Sequence, residues 1–356
     1  MAEPFIIDGR PIGPEYPPYI VAEMSGNHNG DIERAFLMID AAKEAGADAV
    51  KLQTYTADTI TIDHDGPDFV LEGGLWHGRR FYELYQEAHT PWKWHRELFA
   101  HARSIGITMF SSPFDATAIE LLQSLNAPAY KIASPEIVDL DLIERCAETG
   151  KPLIVSTGMA SLEEIEQAVF TAQSAGAKQL LVLHCISAYP TPQEEAHLST
   201  ITDLSHRLGA PVGLSDHTLD TFAAAVAVGQ GAVLIEKHFT LSRADGGVDS
   251  AFSLEPSELK RLVEDSRRAH TVLGRPNYRP TETEAGMLIA RRSLFVVADV
   301  KAGDTLTTEN VRSIRPNKGM PPRFLKLVLG KTAARDIRRG EALCSDMVRD
   351  FEPFEP

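Results

Sequence analysis

Three cysteines in 356 residues, Cys146, Cys185 and Cys344, are too few and too scattered for a disulfide framework, and no CxxC pair offers a thiolate metal centre. Free thiols suit a reducing compartment. Long apolar runs are also missing: stretches such as Gln179 to Cys185 fall far short of the ~20 residues that cross a bilayer. No N-terminal stretch has the charged-then-apolar layout of a signal peptide, so a cytoplasmic protein without membrane contact is expected. Basic clusters are absent as well. The chain sets 35 Lys and Arg against 50 Asp and Glu, a formal charge of −15, whereas binding to nucleic acid needs a basic face. Nucleic acid is thereby excluded as a partner. A small anion held by a few local cations is not. The last absence is structural: the first apolar strand runs into Glu23-Met24-Ser25-Gly26-Asn27-His28, which is not the glycine-rich phosphate turn of an open, doubly wound sheet.

The sequence does contain an alternation. From Tyr19 to Leu273 a short apolar run is followed by a helical pattern eight times, with strands near 18–23, 48–54, 107–111, 128–133, 152–156, 179–184, 211–215 and 232–238. Ile32 to Ala45 and Leu162 to Ala175 are amphipathic, and Ser161 with Glu164 forms a capping box before the second. Gly46, Gly106, Gly150, Gly176 and Gly209 fall where helices end and strands begin. Eight such units in about 250 residues match a closed (β/α)8 TIM barrel of the α/β class, placed over residues 1–274. Thr56 to Thr90 is a long, aromatic-rich insertion after the second strand, the position of a lid or specificity element. Residues 275–290 read as a linker, and 291–356 as a small β-rich domain with an internal repeat. In that domain Val300-Lys301-Ala302-Gly303-Asp304-Thr305-Leu306 and Asn310-Val311 echo Ile337-Arg338-Arg339-Gly340-Glu341-Ala342-Leu343 and Met347-Val348.

In such a barrel the C-terminal strand ends carry the chemistry. Here they supply Glu23, Lys51, Gln53, Ser111-Ser112, Lys131 with Ser134 and Glu136, Ser156, His184-Cys185 with Ser187 and Tyr189, Ser215-Asp216-His217, and Glu236-Lys237-His238. Two lysines with several hydroxyls suit a phosphate and a carboxylate. His217 and His238 suit a divalent ion with open positions, and Glu23 and Glu136 suit proton transfer or activation of water. Each residue also has a plainer role: a hydrogen-bonded structural histidine, a lysine paired with a neighbouring carboxylate, Glu136 capping the following helix. Their joint occurrence at one pole favours a site.

The chain resembles the sialic acid synthase family over nearly its whole length. The resemblance lies in Ala22-Glu23 with Asn27-His28-Asn29-Gly30, Lys51-Leu52-Gln53, Ser112-Pro113-Phe114-Asp115, Lys131-Ile132-Ala133-Ser134 with Glu136, Ser156-Thr157-Gly158-Met159, Tyr189-Pro190-Thr191-Pro192, Gly213-Leu214-Ser215-Asp216-His217-Thr218 and Glu236-Lys237-His238-Phe239-Thr240. The tail from Arg291 through Arg315-Pro316 resembles the antifreeze-protein-like (SAF, β-clip) domain that ends these synthases. The resemblance implies a metal-dependent transferase that condenses phosphoenolpyruvate with an amino sugar by C–O cleavage. It also implies Mn2+, or Mg2+ or Co2+, on His217 and His238. Phosphoenolpyruvate would lie on Lys51, Ser112, Lys131, Ser134, Ser156, Ser187 and Ser215, and Glu23 and Glu136 would serve the chemistry. The sugar would meet Gln53, Tyr189, Asp249 and an Arg315 delivered across a domain-swapped homodimer.

Within the family, the segments Leu75-Trp76-His77-Gly78-Arg79 and Ala88 to His95, Gly246 to Ser253, and Ser187 in place of an asparagine before Tyr-Pro look like the pseudaminic acid synthases. The expected sugar is then 2,4-diacetamido-2,4,6-trideoxy-L-altrose, whose methyl and acetamido groups suit an aromatic-rich loop. Three alternatives compete: the same reaction on an N-acetylneuraminate or legionaminate precursor, a Schiff-base pyruvate aldolase, and a non-enzymatic carbohydrate-binding protein.

Overall fold

The computed structural model describes residues 5–352. The chain forms two compact units, Met1–Gly274 and Arg275–Pro356. The first begins with a hairpin of β1 (Phe5–Ile7) and β2 (Arg10–Ile12). Asp8 and Gly9, at φ of 49° and 78°, make its two-residue turn, and a turn with both residues at positive φ matches the twist of a tight antiparallel pair. This hairpin precedes the first strand expected from the alternation, near 18–23. Its Phe5, Ile7 and Ile12 are buried in one apolar cluster with Tyr19, Val21, Phe110, Ile154 and Leu181, so it plugs the N-terminal end of the barrel.

The barrel strands are β3 (Tyr19–Glu23), β4 (Ala49–Thr54), β5 (Thr108–Pro113), β6 (Tyr130–Ile132), β7 (Leu153–Ser156), β8 (Leu180–Cys185), β9 (Val212–Asp216) and β10 (Leu234–His238). They pair in parallel and close on themselves, β10 lying beside β3. The TIM barrel expected from the alternation is therefore the fold. β6 is shorter than the six residues anticipated because Ser134–Val138 turns into a 3-10 segment with a proline near its start, and proline cannot donate to a strand ladder.

Helices α1 (Ile32–Glu44), α2 (Ala57–Ile60), α3 (Phe81–Ala88), α4 (Trp92–Ile105), α5 (Ala116–Ser124), α6 (Leu140–Glu148), α7 (Leu162–Ser174), α8 (Thr200–Leu208), α9 (Phe222–Gly229) and α10 (Pro256–Leu273) complete the unit. Ser161 and Glu164 form the anticipated capping box on α7, bonding each other's backbone N–H at 3.2 and 2.8 Å. Gly106 and Gly209 end α4 and α8 in the left-handed region, at φ of 71° and 60°, which a β-carbon disfavours. Among the described residues no helix is long and apolar enough to cross a membrane. The insertion after β4 is partly ordered into α2 and α3. Of the tryptophans in and after it, Trp94 packs edge-on against His28 and Trp92 donates Nε1–H to the Tyr55 carbonyl at 3.2 Å. Those two fasten α4 to the barrel, and Trp76 alone lines the cavity described below.

In the second unit β11 (Ser293–Val296) and β12 (Val311–Ile314) pair antiparallel. The two halves of the repeat meet where Val300 and Ile337 exchange both backbone hydrogen bonds at 2.9 Å. Leu294, Val296, Leu306, Val311, Leu343 and Val348 fill its core. Most of its strand pairing is by single bridges, because turns at Gly303 and Gly340 interrupt each run. The stretch read as a linker holds a 3-10 segment, Glu282–Ala290.

Candidate active site

A strand's side chains alternate between faces, and in this barrel the apolar inner residues near the plug give way to polar ones at the other end. On β4 the inner residue Ala49 is followed by Lys51 and Gln53; on β10, Leu234 is followed by Glu236 and His238; on β3, Val21 is followed by Glu23. The intervening residues face the helices. Lys237, next to two inner residues, is such an outer one: its buried ammonium meets the Asp216 carboxylate at 2.7 Å and the Asp220 carbonyl at 3.0 Å, and also bonds both oxygens of Thr218.

Glu236 is the hub of the floor. Its Oε1 lies 3.3 Å from Lys131 Nζ and accepts from Ser215 Oγ at 3.2 Å, while Oε2 is 3.7 Å from Lys51 Nζ. Lys51 also pairs with Glu23 and donates to Ser112 Oγ at 3.3 Å. Glu23 in turn accepts from Gln53 Nε2 at 3.2 Å and from the Ser25 N–H at 3.0 Å. Burial favours the neutral form of both carboxyls, but they respond differently. Glu236, between two ammonium groups, is held below the usual carboxylate range despite burial, and Glu23 is raised above it by burial that Lys51 only partly offsets. Lys51 stays charged: burial acts against the ammonium, and the two carboxylates more than compensate.

Beside this cluster stand His217 and His238, ring centroids 5.3 Å apart. His217 Nδ1 lies 2.9 Å from the Ile186 carbonyl. A carbonyl only accepts, so Nδ1 carries the proton and the Nε2 lone pair is left for a ligand. His238 Nδ1 is buried with no hydrogen-bond partner, 3.8 Å from Asp249 Oδ2. Burial pushes His238 well below the ordinary imidazole range, keeping it neutral. Two imidazoles with available lone pairs fit a divalent ion whose other positions are filled by water and substrate oxygens. No group of three or more His, Cys, Asp or Glu side chains is arranged for a metal among the described residues.

Glu136 sits in the 3-10 turn after β6 with Oε2 buried and unpartnered. It does not cap the following helix; Asp139 does, accepting from the Leu142 N–H at 3.1 Å. Burial lifts the Glu136 carboxyl to about 7 against the pull of Lys131. Nearby, the Gly158 N–H donates to Ser134 Oγ at 3.0 Å. A β-carbon on Gly158 would lie 2.7 Å from that oxygen and closer still to Ser187 Oγ, so only glycine lets backbone and hydroxyls converge here. Ser156 Oγ is buried and unpartnered. Above the histidines, Tyr189 lies 4.4 Å from His217 and Phe252 4.9 Å from His238, while Trp76 packs at a tilt against Tyr189, 5.3 Å between ring centroids, and donates Nε1–H to the Val248 carbonyl at 2.8 Å.

These groups surround a cavity of about 420 Å3 lined by Lys51, Gln53, Lys131, Ser134, Glu136, Tyr189, Ser215, His217, His238 and Asp249. Glu23 and Ser112 lie just behind, bonded to Lys51. Ser187 lies beside Gly158 and 3.9 Å from Cys185 Sγ. Arg315 belongs to the second unit, exposed directly after β12. Three site residues had no role in the sequence reading. Glu236 was legible as the residue two before His238, hence on the same face. Cys185 lies 3.8 Å from His217 Nδ1. Phe252 ends a single 3-10 turn, Ser250–Phe252, too short to leave a periodic signal.

Comparison with known proteins gives this arrangement relatives. The chain is 43% identical over 332 residues to the pseudaminic acid synthase of Helicobacter pylori, covering 93% of this chain and 97% of that one. It is also 43% identical over 325 residues to the pseudaminic acid synthase of Campylobacter jejuni serotype O:23/36, covering 91% and 95%. Among solved structures, the N-acetylneuraminic acid synthetase of Leptospira borgpetersenii superposes with a TM-score of 0.72 at 31% identity, covering 81% of this chain and 96% of that one. The SAF domain model matches residues 291–349 and the NeuB family model residues 38–278. The chain belongs to the NeuB family, the sialic acid synthases, and ends in a SAF domain.

Proposed function

We propose that the chain condenses phosphoenolpyruvate with 2,4-diacetamido-2,4,6-trideoxy-L-altrose and water, giving pseudaminic acid and phosphate. The observation that carries this is the pairing, in one cavity, of two ammonium groups fixed by Glu236 with two imidazoles that offer lone pairs. The first pair suits a small substrate bearing both phosphate and carboxylate; the second suits an electrophile's oxygen. The choice of sugar is supported by the two pseudaminic acid synthases at 43% identity and by the aromatic insertion.

In this mechanism C3 of phosphoenolpyruvate attacks the aldehyde carbon of the open-chain sugar, and the carbonyl oxygen takes up a proton to become a hydroxyl. Water adds to C2 and gives up a proton. The bond from C2 to the bridging oxygen then breaks, phosphate leaves and C2 becomes the keto carbon. A divalent ion on His217 and His238, Mn2+ or in its place Mg2+ or Co2+, would polarise the aldehyde carbonyl as a Lewis acid. Lys51 and Lys131, with Ser112, Ser134, Ser156, Ser187 and Ser215, hold the phosphate and carboxylate; because that charge is present throughout, part of their effect is ground-state binding. Glu136, poised near neutrality, accepts the proton of the attacking water. Glu23, the more readily protonated of the two floor carboxyls, serves the aldehyde end. Gln53, Tyr189 and Asp249 contact the sugar, joined by Arg315 from a second subunit of a homodimer.

A Schiff-base aldolase is disfavoured, since both cavity lysines are paired with carboxylates and a charged ammonium is not a nucleophile. The deciding experiment uses phosphoenolpyruvate labelled at its bridging oxygen, with Mn2+ and the diacetamido sugar. C–O cleavage sends the label into phosphate. Label retained in the organic product, or borohydride trapping of pyruvate on a lysine, would contradict the proposal.

A further inference from the structure

The motif Asn27-His28-Asn29-Gly30 does not line the cavity, yet Asn27 is wholly buried. From the loop after β3 its Nδ2 donates to the Phe239 carbonyl at 2.9 Å and to Ser253 Oγ at 2.8 Å. A carbonyl only accepts, so the amide cannot be turned the other way: its oxygen would then face the Phe239 oxygen. Ser253 Oγ carries the chain of bonds onward, donating to the Asp249 carbonyl at 2.7 Å. One amide thereby joins the residue next to His238 to the Ser250–Phe252 turn, with Asp249 just before it. That turn sets Phe252 4.9 Å from the His238 ring and Asp249 Oδ2 3.8 Å from its Nδ1. Asn27 Oδ1 is left buried without a partner, so the position tolerates one unsatisfied acceptor while its two donors are held in place.

The loop and the turn also meet as closely as glycine permits. A β-carbon on Gly26 would lie 2.5 Å from Val248 Cγ2, and one on Gly247, at φ of 126°, would lie 2.5 Å from Asn29 Oδ1. We propose that Asn27 is a positioning residue for the sugar: with Ser253 it clamps the turn against the end of β10, so that Asp249 faces the substrate beside His238. The sugar contact of Asp249 rests on the proposed reaction; the clamp itself rests on the bonds above. Asn27 and Ser253 bond none of the lysines and serines assigned to phosphoenolpyruvate. Loosening the clamp therefore acts on one substrate and spares the other. A displacement of about 1 Å in a positioning element can cost about a hundredfold.

The test compares the intact wild type with Asn27→Ala, Ser253→Ala and the double variant. In each single variant the KM for the sugar should rise about ten- to a hundredfold, while the KM for phosphoenolpyruvate stays within about twofold of wild type. The double variant should lose little more than the worse single one, because both substitutions break the same chain of bonds. Hydrogen exchange without substrates, read by mass spectrometry, should quicken at least about tenfold across residues 246–254 in every variant and stay at the wild-type rate in β5 to β8. Equal rises in KM for both substrates, an unchanged sugar KM in a folded variant, or strictly additive losses in the double variant would overturn the inference. A wild type inert toward the diacetamido sugar and active on another amino sugar would refute the proposed reaction alone. The same KM comparison with that sugar, together with the exchange result, would then decide the clamp.

Discussion

Lys237→Met tests the scaffolding of the histidine pair. The Lys237 side chain is wholly buried, its Asp216 partner nearly so, and its oxygen partners all come from residues 216–220, the segment that carries His217. Methionine fills a similar volume but leaves the Asp216 carboxylate without its counter-charge, retaining only the bond from the Thr218 N–H at 2.9 Å. Breaking a buried pair from one side costs about 3–5 kcal/mol. At about 2–4 °C per kcal/mol for a domain of this general size, the melting temperature should fall by about 6–20 °C. The double variant Lys237→Met with Asp216→Asn removes the stranded charge and should recover more than half of that loss, since replacing both partners of a buried pair is often close to neutral. The assay is thermal and urea unfolding of the wild type, the single variant and the double variant, followed by circular dichroism. A single variant within about 1 kcal/mol of wild type, or a double variant no better than the single, would refute the electrostatic reasoning.

Gly158→Ala should lose affinity for phosphoenolpyruvate while remaining folded, because the new methyl drives against Ser134 and Ser187; overpacking of this kind costs about 1–3 kcal/mol, and an unchanged KM would count against a cradle there. The wild type should show a rising limb near pH 7 in kcat, and Glu136→Gln should abolish it, since the carboxylate form is the base and burial lifts its pKa to about 7. The stability change has the opposite sense. A folded-state pKa raised above the unfolded value makes the native state less stable as pH climbs from the ordinary carboxylate range through about 7, so Glu136→Gln should gain stability over wild type at pH 8 and not at pH 4, as pH-dependent unfolding would reveal. Chelator treatment should abolish turnover and Mn2+ restore it, with His217→Ala failing to respond; Mn2+ binding measured directly should weaken in the same variant, and full activity after chelation would remove the metal from the account.

The barrel was legible because its strands are buried on both faces and therefore read as unbroken apolar runs, Leu180 to Leu183 being the clearest, with glycines punctuating the helix ends. The plug was not: its strands are three residues long and one contains Pro11, leaving Asp8-Gly9 as the one usable signal. At the site, residue types were legible but pairings were not. Glu236 and Lys237 are adjacent in sequence, yet alternation sends one to the cavity and the other under the helices, and the partners of Glu236 come from β4, β6 and β9, far away along the chain. The tryptophans show the same limit. Composition grouped Trp76, Trp92 and Trp94, whereas the start of α4 at Trp92 assigns the last two to packing.

The central claim is the identity of the two substrates. The most direct measurement incubates the chain with phosphoenolpyruvate, Mn2+ and, in separate reactions, the diacetamido-trideoxy altrose, the legionaminate precursor and N-acetylmannosamine, following phosphate release and product mass together. The account predicts stoichiometric phosphate and a nine-carbon keto acid with the first sugar. Turnover with N-acetylmannosamine alone would contradict it.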